Sequence, residues 1–331
     1  FQAVTVLNAR SLAGLALAVV PALMCFAMRR RPLRFGLMLG AVFAGASVVR
    51  VGTGHVLLAR RTFFGTHQVV RTDNPAFNDL YHGTTLHGRQ SLDRNSGRPS
   101  RSTEPLTYYH RRGPIGRVIQ MLIERAANAP PTFGFVGLGS GSLAAYASAG
   151  ATITFFEIDP QVVDIADRSG HFSYTSDARS RGARIEFIVG DARLTLARTS
   201  DKYDLIVLDA FSGDAIPVHL LTRQAMEMYS RHIEEHGLLA IHISNAYLDL
   251  HDVVAALARD AGWFCVRCDD MNVTAEDEAA GRLKSQWVVF ARSSDDFGAL
   301  LGDPNWTVVR NGSTPVWTDD FSNIVSTLKR Q

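Results

Sequence analysis

The stretch FGFVGLGSGSLAAYASAGATITFFEIDPQVVDIA, residues 133–166, decides the fold. A short apolar run ends in GLGSG, an alanine-rich segment follows, a second apolar run ends at Glu157, and Asp159-Pro160 opens another helical pattern. Strand, glycine turn, helix, strand is the opening of a doubly wound parallel sheet, in which ligands sit beyond the carboxyl ends of the strands. Asp159 followed by Pro160 has the order of an N-cap and a first helical residue, so Asp159 reads as structural.

Outward from this stretch the alternation continues, with strands expected at 133–137, 153–157, 184–189, 204–208 and 238–243. Four strand ends carry chemistry. In the first, Gly137, Gly139, Ser140 and Gly141 let the backbone approach a ligand, and the next helix offers free N–H groups. In the second, Glu157 can accept both hydroxyls of a ribose. In the third, Asp191 of VGDAR can accept from an adenine amino group. In the fourth, Asp209 ends the apolar run DLIVLD, where a carboxylate is costly unless it is used. Ser142 stands where a dinucleotide fingerprint has its third glycine, and no basic residue follows to hold a phosphate. The pattern therefore fits an adenosyl ligand without phosphate, as in class I AdoMet-dependent enzymes.

Charge divides the 331 residues unevenly. The formal +2 combines nine arginines and no acid in residues 1–72 with −7 beyond them. An acidic globular part argues against nucleic acid as its partner. Two uncharged apolar runs, 11–28 and 35–49, flank RRRPLR and are rich in small residues, as in helices that pack within a bilayer. Residues 1–60 are thus expected to be a membrane hairpin, the end of a longer membrane region. Basic links on both sides leave its orientation open. The catalytic part is placed on the cytoplasmic side of the inner membrane, where its ligand is made.

Residues 61–113 read as a small β unit, with 61–72 as one strand and a polar loop over 94–105. The main domain spans 114–331 and opens with an amphipathic helix near Pro114. Three cysteines make no disulfide framework, and Cys265 and Cys268 fall on opposite faces of an expected strand. No metal site is expected: the five histidines between His55 and His110 lack a repeated ligand spacing.

Taken together, GLGSGSL, FFEIDPQVVDIA, VGDAR, YDLIVLDAFSGDAIPVHLLT, LHGRQSLD, PLTYYHR and KSQWVVFA resemble the spermidine synthases, or polyamine aminopropyltransferases, over residues 61–329. More narrowly, the chain looks like the bacterial branch that fuses such a domain to a multi-span membrane segment. The resemblance implies a spermidine synthase-type Rossmann-like fold and transfer of an aminopropyl group from decarboxylated AdoMet to an amine such as putrescine, with no metal. A homodimer is compatible with it. It implies that Gln90 touches the methionine-derived part of the donor and that Tyr109 and His110 are the family's Tyr-His pair. Glu157 would hold the ribose, Asp191 the adenine, and Asp209 would orient and deprotonate the amine. Asp214 and Asp319 would attract the acceptor.

Three departures keep other readings open. Ser140 stands where the family carries an aspartate that holds the donor's ammonium. The second acid of the family's Asp-x-x-Asp pattern is displaced, since the next acid after Asp209 is Asp214, and Arg111 stands where a glutamate follows the Tyr-His pair. The first favours intact AdoMet and transfer of a methyl group to a small molecule. The two acid departures, with the fusion, also leave a non-catalytic AdoMet-binding module open.

Overall fold

A computed structural model describes residues 21, 23–48, 54–73, 76–100, 104–126, 129–211, 217–245, 247–309 and 314–329, with backbone alone for 43–48. The chain divides into two units, Phe1–Thr53 and Gly54–Gln331.

In the first unit, Pro32 opens a helix over Pro32–Val48, where its missing N–H costs nothing. Its 17 residues span about 26 Å, short of a hydrocarbon core of roughly 30 Å. Among the described residues no helix is long and apolar enough to cross a membrane. The expected membrane hairpin is therefore not shown by the described residues, and most of its first run, 11–20 with 22, lies outside them.

The second unit begins earlier than residue 61. Strand β1 (His55–Thr62) pairs antiparallel with β2 (Gly65–Asp73), so residues 55–60 belong to the small β sheet. β3 (Ala76–His82) and β4 (Thr85–Ser91) complete a four-stranded meander in sequence order. The stretch 61–72 is not one strand. The chain turns at Phe63-Phe64, and the hairpin closes through Thr62 opposite Gly65.

The main sheet has eight strands. The parallel set is β5 (Thr132–Val136), β6 (Thr152–Glu157), β7 (Arg184–Val189), β8 (Tyr203–Leu208) and β9 (Ile233–His242), and the antiparallel edge is β10 (Phe264–Asp270), β11 (Ser285–Ala291) and β12 (Trp306–Val308). The order is β12-β10-β11-β9-β8-β5-β6-β7. The inner strands read as continuous apolar runs because both of their faces are covered. Phe133, Phe135, Phe155 and Val207 fill one face, and Phe156, Ile206, Leu208 and Ile241 fill the other. Cys265 and Cys268 fall into opposite cores, as their spacing implies. The amphipathic helix Pro114–Arg125 buries Ile115, Val118, Ile119 and Leu122 on the first face.

Candidate functional site

Beyond the carboxyl ends of β5, β6, β7 and β8 lies a cavity of about 350 Å³, roofed by side chains of the small β sheet. Two glycines make its floor possible. A Cβ on Gly137 (φ 97°) would come within 2.4 Å of the Asp209 carbonyl oxygen, and one on Gly139 (φ 54°) within 2.3 Å of the His87 carbonyl oxygen. The turn is pressed between the end of β8 and strand β4, and only glycine fits there.

At one side of the cavity Glu157 ends β6, 8% exposed. One carboxylate oxygen accepts from the Leu138 N–H at 3.0 Å and the other from the Asp159 N–H at 3.0 Å. Burial is the dominant influence and raises its carboxyl to about 6, against the pull of those backbone donors. Each oxygen keeps a lone pair for a further donor, which suits a pair of vicinal hydroxyls. Asp159 caps the next helix by accepting from the Gln161 N–H at 2.9 Å, and its other oxygen accepts from Thr62 at 2.6 Å and lies 2.9 Å from His67 Nε2. Its structural reading holds, and it also ties the small sheet to the large one. Asp191, after β7, caps the helix Ala192–Leu196 through the Leu194 N–H at 3.1 Å and lies 3.0 Å from His219 Nε2, at the cavity's rim.

Asp209 follows β8 and is 9% exposed. Tyr109 Oη donates to Oδ2, and His242 Nδ1 lies 2.6 Å from Oδ1. A carboxylate only accepts, so Nδ1 carries a proton, and Nε2 lies 2.7 Å from Ser244 Oγ. Ser244 Oγ in turn accepts from the Gln286 N–H at 2.8 Å. The Asp209 carboxylate is thus oriented by a hydrogen-bonded line that ends in the backbone of β11. The His242 ring is clamped between Tyr108 and Trp287, at centroid distances of 4.4 and 4.6 Å. Burial and the charge of Asp209 push the Tyr109 phenol well above its usual range, so it stays a donor.

The cavity gathers Tyr109, Gly137, Gly139, Glu157, Asp191 and Asp209, six of the residues expected from the sequence. Others point elsewhere. Gln90 is 1% exposed and fully engaged: its amide donates to the Ser100 carbonyl at 2.9 Å and to Ser173 Oγ at 2.7 Å, and its oxygen accepts from the Ser173 N–H at 2.8 Å. Ser140 is buried, with Oγ 2.8 Å from Ser142 Oγ and packed so tightly on Gly88 that a Cβ there would fall 2.1 Å away. It does not line the cavity, and neither does Gly141, whose αL backbone (φ 80°) closes the turn against Thr175. His110 accepts from the Arg112 N–H at 3.2 Å and lies 3.4 Å from Glu104. Asp319 is taken by Arg193, through two bonds, and by Thr222 at 2.8 Å, outside the cavity. Asp214 lies outside the described residues. Arg111, in the departure beside the Tyr-His pair, lies 3.4 Å from Glu104 and over the Tyr146 ring.

His242 is the main residue that sequence reasoning passed over. It ends a strand adjacent to β8, so the strand-end rule that found Asp209 also reaches it. In the cavity roof His67 stacks on His82 with centroids 4.6 Å apart, and His87 is tilted against His82 at 5.5 Å. Among the described residues no three His, Cys, Asp or Glu groups converge as for a metal ion.

No family model matches the chain. Over 110 residues, 31% of this chain, it is 34% identical to a polyamine aminopropyltransferase of Vibrio vulnificus. The chain spans about a third, 34%, of the length of that curated relative. A probable spermidine synthase from Corynebacterium glutamicum has a similar structure, with a TM-score of 0.57 at 14% identity, over 82% of this chain and 98% of that one. A spermidine synthase in complex with the transition-state analogue AdoDATO gives 0.51 at 11% identity, over 84% of this chain and 85% of that one. The spermidine synthase of Thermotoga maritima gives 0.50 at 11% identity, over 84% and 85%. At these identities the structural likeness is one of fold: the chain has an α/β fold with a mixed sheet of the spermidine synthase, Rossmann-like kind.

Proposed function

We propose that the chain is an aminopropyltransferase that moves an aminopropyl group from decarboxylated AdoMet to an amine and releases methylthioadenosine. The observation that carries this reading is the buried carboxylate of Asp209, held by Tyr109 and His242 in a cavity whose other side presents Glu157 and Asp191. A fixed acceptor at that point suits an amine that must lose a proton before it attacks. Glu157 would hold the ribose and Asp191 the adenine. The local identity to a polyamine aminopropyltransferase supports the same chemistry.

In the reaction the amine nitrogen bonds to the methylene carbon beside the sulfonium. The carbon–sulfur bond breaks, and sulfur keeps the bonding pair as a neutral thioether. The proton shed by the amine passes to Asp209. The protein supplies alignment and a base, since the sulfonium already supplies the leaving group. Ser140 was the residue that favoured intact AdoMet, and its hydroxyl faces Ser142 and Gly88 instead. Methyl transfer then rests on no residue of the site.

Residues 1–53 would attach the protein to the inner membrane, with the catalytic unit on the cytoplasmic side. Their arginines and uncharged apolar runs support this. The test of the function is incubation of purified protein with each donor, with and without putrescine, and mass spectrometry of the products. Methylthioadenosine with an aminopropylated amine is the expected result. A methylated product, or no conversion of either donor, would overturn the proposal.

A further inference from the structure

A second cavity, about 280 Å³, adjoins the first and shares His87, Tyr108 and Phe211 with it. The His242 ring, which orients Asp209, forms part of its wall. In position this is where an acceptor would wait. In charge it is unlike a diamine site. Lys284 and Lys329 line it, beside Ser244, Asn245 and Gln286, and no lining residue among those described is an aspartate or glutamate. Lys329 Nζ donates to the Asn245 carbonyl at 2.7 Å and lies within electrostatic reach of Asp249, which already pairs with His251 at 2.7 Å. No ion pair holds Lys284 among the described residues. Asp269, the nearest acid to Gln286, is bonded by that amide at 3.0 Å and by His251 at 3.0 Å, and does not line the cavity.

Two lysines in the wall of a cleft disfavour a dication and favour an anion. Building on the aminopropyl-transfer reading, we infer that the acceptor is an amine that also carries an anionic group, of the amino-acid type, rather than a simple diamine. The reactive amine is directed at Asp209, and its carboxylate tail at Lys284 and Lys329. The hydroxyl of Ser244 and the amides of Asn245 and Gln286 are the neutral groups beside them.

Ornithine and putrescine make a matched pair, since ornithine is putrescine with one added carboxylate. With decarboxylated AdoMet as donor, kcat/KM for ornithine is expected to exceed that for putrescine by about tenfold or more, the size of one screened charge contact. The double variant K284A/K329A should reverse that order while leaving methylthioadenosine affinity unchanged. A wild-type preference for putrescine would overturn the inference and leave aminopropyl transfer standing, as would an ornithine preference that survives in the double variant. No methylthioadenosine release with either amine would overturn the reading beneath it. The inference would then be decided by calorimetry: ornithine must bind the methylthioadenosine-loaded protein more tightly than putrescine and lose that advantage in the double variant.

Discussion

Asp209, after β8, and His242, at the end of β9, are joined by a 2.6 Å hydrogen bond between neighbouring parallel strands. The bond fixes which lone pairs of the carboxylate remain for a substrate. Asp209→Asn keeps the shape and removes the proposed base. It is expected to lower kcat by roughly 10²- to 10⁴-fold with donor affinity retained. His242→Gln leaves Asp209 in place but loosens it, and the expected loss in kcat is about tenfold, the worth of one hydrogen bond. Steady-state kinetics with a direct measurement of donor affinity checks both. Equal losses in donor binding would show that the pair shapes the cavity instead.

Glu157 should reveal itself through pH. Burial raises its carboxyl from 4.5 to about 6 in the folded protein. Between those values the folded chain holds a proton that the unfolded chain has released. That contribution to stability is complete below about 4.5 and is lost as the pH rises through about 6, a change of about 2 kcal/mol. The stability of the wild type minus that of Glu157→Gln should therefore fall by most of this amount from pH 4.5 to pH 7 in denaturant titrations. Methylthioadenosine affinity should rise over the same interval, because on the proposed assignment it is the ionised form that would accept the ribose hydroxyls. Glu157→Ala is expected to weaken adenosyl-ligand binding by about 1.5–3 kcal/mol. A stability difference that does not change with pH would contradict the assignment.

Ser140→Asp separates a structural from a ligand-facing position. The side chain is buried against Ser142 and Gly88, so a carboxylate there loses its hydration. The expected cost is roughly 3 kcal/mol or more in unfolding free energy, with the ratio of affinities for decarboxylated and intact AdoMet unchanged. Unchanged stability with a tenfold shift of that ratio would place residue 140 against the donor's tail.

Much of this was legible in the sequence. Four of the five parallel strands are legible because their runs end at or beside a glycine or a carboxylate, and the run at 184–189 matches β7 residue for residue. Glu157, Asp191 and Asp209 followed because strand ends converge on one crevice. What the sequence could not give was direction. Gln90 lies on a strand whose alternation is broken by a bulge opposite Leu80 and Tyr81, so parity alone does not say which face it takes. Ser140 lies in a turn whose side-chain direction depends on how closely β4 packs on it. The split at Phe63-Phe64 has no Asn-Gly or Asp-Gly signal, and the turn surfaced only through strand pairing.

Asp319 illustrates the same limit. Its sequence neighbourhood of paired acids reads as a cation site, but Arg193 supplies the cation from the chain itself. Asp319→Asn should leave acceptor KM unchanged and lower stability by less than about 1 kcal/mol, as for an exposed pair. A large rise in acceptor KM would return Asp319 to the site.

The central claim is most directly tested by counting products. Methylthioadenosine released from decarboxylated AdoMet is measured against amine consumed, in wild type and in Asp209→Asn. One methylthioadenosine per aminopropylated amine in the wild type, with the rate collapsing in the variant, is the expected result. Methylthioadenosine release that is indifferent to Asp209, or a wild type that turns over neither donor, would contradict it.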